Sequence, residues 1–400
     1  MPGLNTKKSY MSRTTSSLTR LPSLDPADYQ WLAPDVSQPT RLVAGNDSLT
    51  ARQAYHYLTQ GVGVVWQGDF HQGKLLLQAL GRRLPSQPRV SNESDPIHWP
   101  ADERRALFHR HRQYQSQRSS LLNRFLLPVA ANGTIPLKRA PDIREACLAG
   151  GLPIERHHTT EPQQALLPLR TLLGLIGAYE WEKKGVIVKG LPTPIHVSYG
   201  VFSPLRGEYL DLLWQAPLPS TQHAVDVGTG SGVISAILAS RGVQQVVATD
   251  TNPRAIACAR RTLDRMGLTE HVKVQEIPFF PAGTTPLLVC NPPWLPAKPT
   301  SAIEQAIYDP DHNMLTGFLQ GAAEHLEPDG EAWLIMSDLA EHLGLRAPEH
   351  IPDLIHRAHL SVVDVLQTQP RHSRAHDNQD PLHFARSRET TKLWRLRRAR

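Results

Sequence analysis

Cysteine is scarce: there are three in 400 residues, Cys147, Cys258 and Cys290, and no Cys-x-x-Cys pair. That number and spacing exclude a disulfide framework or a cysteine-based zinc cluster, and they suit a reducing cytoplasmic compartment. The histidines offer no metal site either, because His109/His111 and His157/His158 lack acidic or cysteine partners at ligand spacing. No apolar run approaches the roughly 20 residues that span a bilayer, so no membrane partner is expected. Acid is missing from the first 24 residues, which carry Lys7, Lys8, Arg13 and Arg20. Residues 1–25 therefore read as a disordered basic tail, although the same composition superficially matches a transit peptide.

The charge is unevenly spread. The chain carries +6 overall, with four of those charges in the tail and seven bases against Glu389 in residues 385–400. The stretch 25–384 is left four charges negative. A pI near 9.3 invites a nucleic-acid reading, but the basic character belongs to the two ends.

The length implies two or more domains. In residues 26–190 the apolar spacing predicts helices near 49–57 and 74–80, a basic helix over 101–127, and another over 163–184. This part is expected to be a mainly helical substrate-recognition domain. Arg104, Arg105, Arg110, Arg112, Arg118 and Arg124 give the basic helix a face that could track phosphates or simply be solvated. The turn-rich GLPTP segment, 190–194, marks the joint.

From 196 to 400 short β-branched runs alternate with helical stretches, the mark of a parallel α/β sheet. Strands are expected at 223–227, 245–249, 272–276, 287–290, 332–336 and 361–366, with a short basic one at 392–396. Helices are expected at 233–241, 253–266 and 315–326. The chain beyond Trp394 reads as a disordered or edge segment.

The strand 223–227 runs into VDVGTGSG, in which Gly228, Thr229, Gly230 and Gly232 precede an apolar helix. Such a loop lets a ligand approach bare backbone at a helix start. The spacing is not the GxGxxG of dinucleotide binders, and Asp226 ahead of the first glycine disfavours a pyrophosphate. An acid there suits a cation, and S-adenosylmethionine, a sulfonium with a free ammonium group, is the natural candidate. Asp250 ends the next strand, where a carboxylate can accept both ribose hydroxyls.

After the fourth strand comes Asn291-Pro292-Pro293-Trp294. The Asn291 side-chain oxygen and the Pro292 carbonyl can each accept an N–H from a planar amide or amine nitrogen, aiming its lone pair at a methyl group. Pro292 and Pro293 keep these acceptors rigid, and Trp294 offers a face for stacking. The segment 308–311 is either a lid over the acceptor or an Asx-type turn that starts a helix.

VDVGTGSGVIS, VVATDTNPRAIACAR and LLVCNPPW make residues 196–370 resemble class I S-adenosylmethionine-dependent methyltransferases. The similar branch holds the release-factor glutamine methyltransferases and the rRNA guanine-N2 and adenine-N6 enzymes. The resemblance implies a Rossmann-like seven-stranded domain, α/β in class, that binds the cofactor through Asp226, Gly228, Thr229, Gly230, Gly232 and Asp250 and places the acceptor at Asn291, which also borders the cofactor. It further implies that YGVFSPLRGEYLDLL covers the methionine end, with Phe202 and Ser203 lining the pocket. Trp294 stands where release-factor enzymes usually have Tyr, and the acid common near the adenine is replaced by the run 276–280, EIPFF. The implied partners are a protein substrate, a translation factor or ribosomal protein modified on glutamine, or alternatively RNA or DNA modified on a purine amine. A non-catalytic cofactor-binding regulator is the third reading, against which the intact Asn291 speaks.

Overall fold

A computed structural model describes residues 21–85, 95–130, 132–154, 164–204, 207–299, 303–371 and 373–399. Most of the expected basic tail and the pair His157/His158 lie outside these residues; within 21–25, Ser23–Leu24 already forms a strand.

Helices α1 (Ala51–Thr59), α2 (Phe70–Arg83), α3 (Ala101–Leu122), α4 (Arg144–Ala149) and α5 (Leu169–Lys184) supply most of the regular structure of the first half. They pack on a sheet that the apolar spacing does not reveal. Its strands are β1 (Ser23–Leu24), β2 (Tyr29–Trp31), β3 (Leu42–Gly45), β4 (Gly63–Trp66), β5 (Phe125–Val129) and β6 (Gln164–Pro168), in the order β1-β3-β4-β5-β6-β2. The helix expected over 101–127 therefore stops at Leu122. Phe125, Leu127 and Val129 then face the main core while Leu126 joins the smaller cluster of Leu42, Val65 and Leu166 on the other face, the alternation of a strand. The helix expected over 163–184 is likewise strand β6 followed by α5, with Pro168 at the changeover.

The second half holds α6 (Glu208–Gln215), β7 (His223–Val227), α7 (Val233–Ser240), β8 (Gln245–Asp250), α8 (Pro253–Arg265), β9 (Val272–Glu276) and β10 (Thr285–Cys290). Then follow α9 (Asn313–His325), β11 (Leu326–Ser337), α10 (Leu339–His342), α11 (His350–Arg357), β12 (Leu360–Thr368), α12 (His383–Arg386) and β13 (Thr391–Arg398). All seven expected strands form one sheet in the order β12-β13-β11-β10-β7-β8-β9. From β11 to β9 the pairing is parallel, and β13 runs antiparallel to both its neighbours. Helices cover both faces, so β7, β10 and most of β11 are buried almost throughout, which is why apolar residues dominate in them, as in LLVC of β10 and AWLIM of β11. Sequence order reverses between β7 and β10, and the crevice beyond their carboxyl ends is where such sheets take ligands.

The basic C-terminus corrects the expectation of a disordered or edge segment. Strand β13 lies inside the sheet between β11 and β12, with Leu393 and Leu396 fully buried.

Helix α3 joins the two halves. Its last turn, at Leu122, packs in the N-terminal core, whereas Leu107 and Phe108 pack with Leu295, Leu339, Ala340, Leu343 and Phe384 of the second half. Arg104 and Arg105 donate to the carbonyls of His342, which ends α10, and of Gly344 just after it, both at 2.9 Å. Much of the expected phosphate-tracking face is thus spent on bonds within the chain. Among the described residues no helix is long and apolar enough to cross a membrane, and no group of His, Cys, Asp and Glu could hold a metal ion.

Candidate active site

Strand β7 delivers the chain into the glycine loop with Gly228, Gly230 and Gly232 at φ of +73°, +57° and +81°. Only glycine adopts this backbone freely. At Gly228 a Cβ would in addition push aside the Met314 methyl. The amides of Gly228 and Thr229 both donate to the Thr249 carbonyl at 2.9 Å, and the Gly230 amide donates to Asp250 Oδ2 at 3.0 Å. The loop is thereby tied to the end of β8.

Asp226 is fully buried beneath that loop. Its Oδ2 accepts from Thr229 Oγ1 at 2.7 Å, from Ser235 Oγ at 2.6 Å and from the Ser235 amide at 3.0 Å, while its Oδ1 has no partner. Burial outweighs these bonds and pushes the carboxyl up to about 6. Asp226 is not among the residues that line the cavity beside the loop; its Oδ2 turns into the protein and holds the loop. Gly232 likewise sits at the start of α7, against Ala259, and shapes the loop from behind.

Of the remaining expected residues, all but Ser203 converge. Phe202, Gly228, Thr229, Gly230, Asp250, Asn291, Pro292, Pro293 and Trp294 all line one cavity of about 620 Å³. This is within the usual range for small-molecule sites. Asp250 is held by the Asn252 amide on Oδ1 at 2.9 Å, with Gly230 on its other oxygen. Across the crevice, the Trp294 indole N–H donates to Asn291 Oδ1 at 2.9 Å. Tyr209, almost fully buried on α6, hydrogen-bonds the same amide, and burial pushes its phenol up, so it stays protonated at neutral pH.

Segment 308–311 forms the turn that starts a helix and also lies beside the cavity. Asp309 accepts from the amides of Met314 and Leu315 at 3.0 and 3.1 Å, starting α9, and it also borders the cavity. In place of an acid after β9 the chain presents Ile277, Pro278 and Phe279 to the cavity. Phe279 takes φ +54°, and Thr249 Oγ1 donates to its carbonyl at 2.6 Å. Phe280 turns away and stacks on Phe318 and His325. Gly317 and Gly321 on α9 make room for the two rings, since a Cβ at either would come within 2.4 Å of them. Tyr209, Ile277, Pro278, Met314 and Ile307 are lining residues that sequence reasoning missed; only the flanking Pro-Phe-Phe run hinted at an apolar wall.

The donor set fits S-adenosylmethionine. A bare-backbone loop suits its amino-acid end, a carboxylate at the end of β8 its ribose, and an apolar wall at 277–279 its adenine. The buried charge of Asp226, with one oxygen unpartnered, favours a cation in the adjoining cavity.

A family profile described as "Methyltransferase small domain" matches residues 194–347. Ribosomal RNA small subunit methyltransferase C of Sodalis glossinidius is 25% identical, over 66% of this chain and 73% of its own length. A release factor glutamine methyltransferase of Cereibacter sphaeroides is 28% identical over 32% of this chain, which spans only 55% of that relative. Another, from Xylella fastidiosa (strain 9a5c), is 30% identical over 52% of this chain and 77% of its own length.

Proposed function

We propose, for a chain that belongs to the methyltransferase small domain family and is an S-adenosylmethionine-dependent methyltransferase, that it methylates the exocyclic amine of a purine in ribosomal RNA. The observation that carries N-methylation is Asn291: its amide is fixed by Trp294 and Tyr209 at the carboxyl end of β10, on the same cavity as the glycine loop. When bound, the cofactor supplies an activated methyl group on sulfur. Gly228, Thr229, Gly230, Phe202 and Asp250 would hold it. The Asn291 oxygen and the Pro292 carbonyl would accept the two N–H bonds of the acceptor and turn its lone pair toward the methyl. Trp294 borders the place where a flat base would lie.

The length of the match favours RNA. Covering 66% of 400 residues, the match to the rRNA relative reaches well ahead of residue 196 and into the N-terminal part, which we assign to substrate recognition. A glutamine side chain is the second reading: it presents the same N–H geometry, and the 30% identical relative carries that activity in its name. Action in the cytoplasm agrees with three buried free thiols.

Methyl-labelled cofactor is to be given to the protein with small ribosomal subunits, with protein-free rRNA and with release factors, beside Asn291→Ala. Label in RNA that disappears in the variant supports the proposal. Label confined to release factor moves the acceptor to glutamine. No label anywhere, with cofactor bound, overturns both readings.

Asp226 makes cofactor binding depend on pH. A cationic ligand favours the ionised carboxylate, whose folded-state titration lies at about 6. Affinity should therefore rise as pH climbs from 5 through 6 and then level off, by on the order of ten-fold for one charge nearby. Asp226→Asn should bind more weakly at pH 8 and show a flat profile; calorimetry with S-adenosylhomocysteine, which keeps the ammonium group, measures both. A variant profile that parallels wild type would remove Asp226 from this role.

A further inference from the structure

Arg112 belongs to α3, the helix that joins the two halves, yet its head group lies against the second half. Its Nη2 donates to the Lys298 carbonyl at 2.8 Å and pairs with Glu304 at 3.1 Å, and its guanidinium carbon stands 4.1 Å from the Tyr308 ring centroid. Glu304 and Tyr308 belong to the segment 303–309, of which Gln305, Ala306, Ile307 and Asp309 line the cavity. That segment is hydrogen-bonded to the residue following Trp294: the Leu295 amide donates to Ile307 at 3.3 Å, and the Asp309 amide donates to Leu295 at 2.9 Å.

We infer that Arg112 is a positioning residue, by which the N-terminal part fixes the acceptor-side wall of the cavity through Glu304 and Tyr308. The inference rests on the reading that the acceptor enters beside Asn291 and Trp294. A guanidinium suits the task because one flat group pairs with a carboxylate, bonds a carbonyl and stacks on a ring at once. Lysine can supply the charge but not the planar fork or the stack. The cofactor side of the cavity is held separately, by the bonds of the glycine loop to Thr249 and Asp250. Loss of Arg112 should therefore be felt by the acceptor and not by the cofactor.

Wild type, Arg112→Ala and Arg112→Lys, all full length, are to be compared in three measurements. These are S-adenosylhomocysteine binding, hydrogen exchange of the 303–309 amides, and kcat and KM for protein-free small-subunit rRNA. In Arg112→Ala the exchange of 303–309 should quicken and KM rise about ten-fold, with kcat falling less and cofactor affinity changing under about two-fold. Arg112→Lys should recover part of the KM through Glu304. Unchanged exchange at 303–309, or cofactor affinity that falls in step with kcat/KM, would overturn the inference. If the labelled acceptor proves to be a release factor, its KM takes the place of the RNA's and the exchange criterion stands unaltered, so the two ideas fail separately.

Discussion

Asn291→Ala lowers methyl transfer by about a hundredfold or more, by analogy with the loss of one positioned hydrogen-bonding group in other active sites. Its Oδ1 receives the Trp294 indole N–H at 2.9 Å, and Tyr209 bonds the same amide. The indole, which can only donate, decides which end carries the oxygen, since a flipped amide would set its own N–H against the indole N–H. An amine conjugated with a purine ring is a weak nucleophile, and two acceptors on its hydrogens hold the lone pair in line for transfer. Alanine removes one of them. Asn291→Asp keeps an oxygen for the indole and the acceptor, so its activity should fall between alanine and wild type. Cofactor affinity should follow the opposite order, with Asp250→Ala weakening S-adenosylhomocysteine binding more than Asn291→Ala does. Asp250 is the carboxylate braced by Gly230 and Asn252 on the cofactor side. Calorimetry beside single-turnover label transfer tests both, and the reverse order of affinities overturns the roles assigned here.

The catalytic half could be read from the chain because its signals are local. Strands β7 and β9 fall on the expected residues 223–227 and 272–276, where β-branched residues cluster: Val225 and Val227 run up to the glycine loop, and Val272 and Val274 alternate with polar residues. Asn291 and Asp250 could be found because Asp250 ends a strand and Asn291 directly follows one. The orientation of Asp226 could not, because the hydroxyl and amide of Ser235 that draw its carboxylate inward act across a folded loop. The six-stranded N-terminal sheet escaped detection for a different reason. Leu121, Leu122, Phe125 and Leu126 sit at spacings a helix also uses, and only the opposite faces taken by Phe125 and Leu126 reveal a strand. Tyr209, Met314 and Arg112 reach the cavity or its wall from separate elements, so their part depends on tertiary packing alone.

The basic C-terminal strand gives the second large effect. TKLWRLRR looks like a solvated tail because its bases far outnumber the one nearby acid, Glu389, yet Arg395 and Arg397 meet Glu331 across the sheet. Glu331 is fully buried and accepts four bonds of 2.9 Å, two from Arg395 and one each from Arg397 and the Trp333 indole. Glu331→Ala takes the acceptor from Trp333, Arg395 and Arg397; Arg395 keeps only Asp364 at 3.4 Å and Arg397 is half exposed, so the loss should be about 3 kcal/mol, the low end for breaking a buried pair. For a 400-residue chain unfolding as one unit that is a fall of about 4 °C in Tm. Glu331→Gln keeps an acceptor oxygen and should lose less. Burial alone would raise the Glu331 carboxyl, but the bonds from Arg395 and Trp333 outweigh it and hold it below the usual carboxylate range. A carboxyl lowered on folding stabilises above its unfolded value and ceases to do so as pH falls through its folded one. The gap between wild type and Glu331→Ala should therefore be widest near neutrality and close in acid. Thermal unfolding at pH 7 and at pH 4 or below decides it. A Tm change under about 2 °C at pH 7 would mean that the desolvation of Glu331 and Arg395 cancels their attraction, and that β13 is held inside the sheet by Leu393 and Leu396 alone.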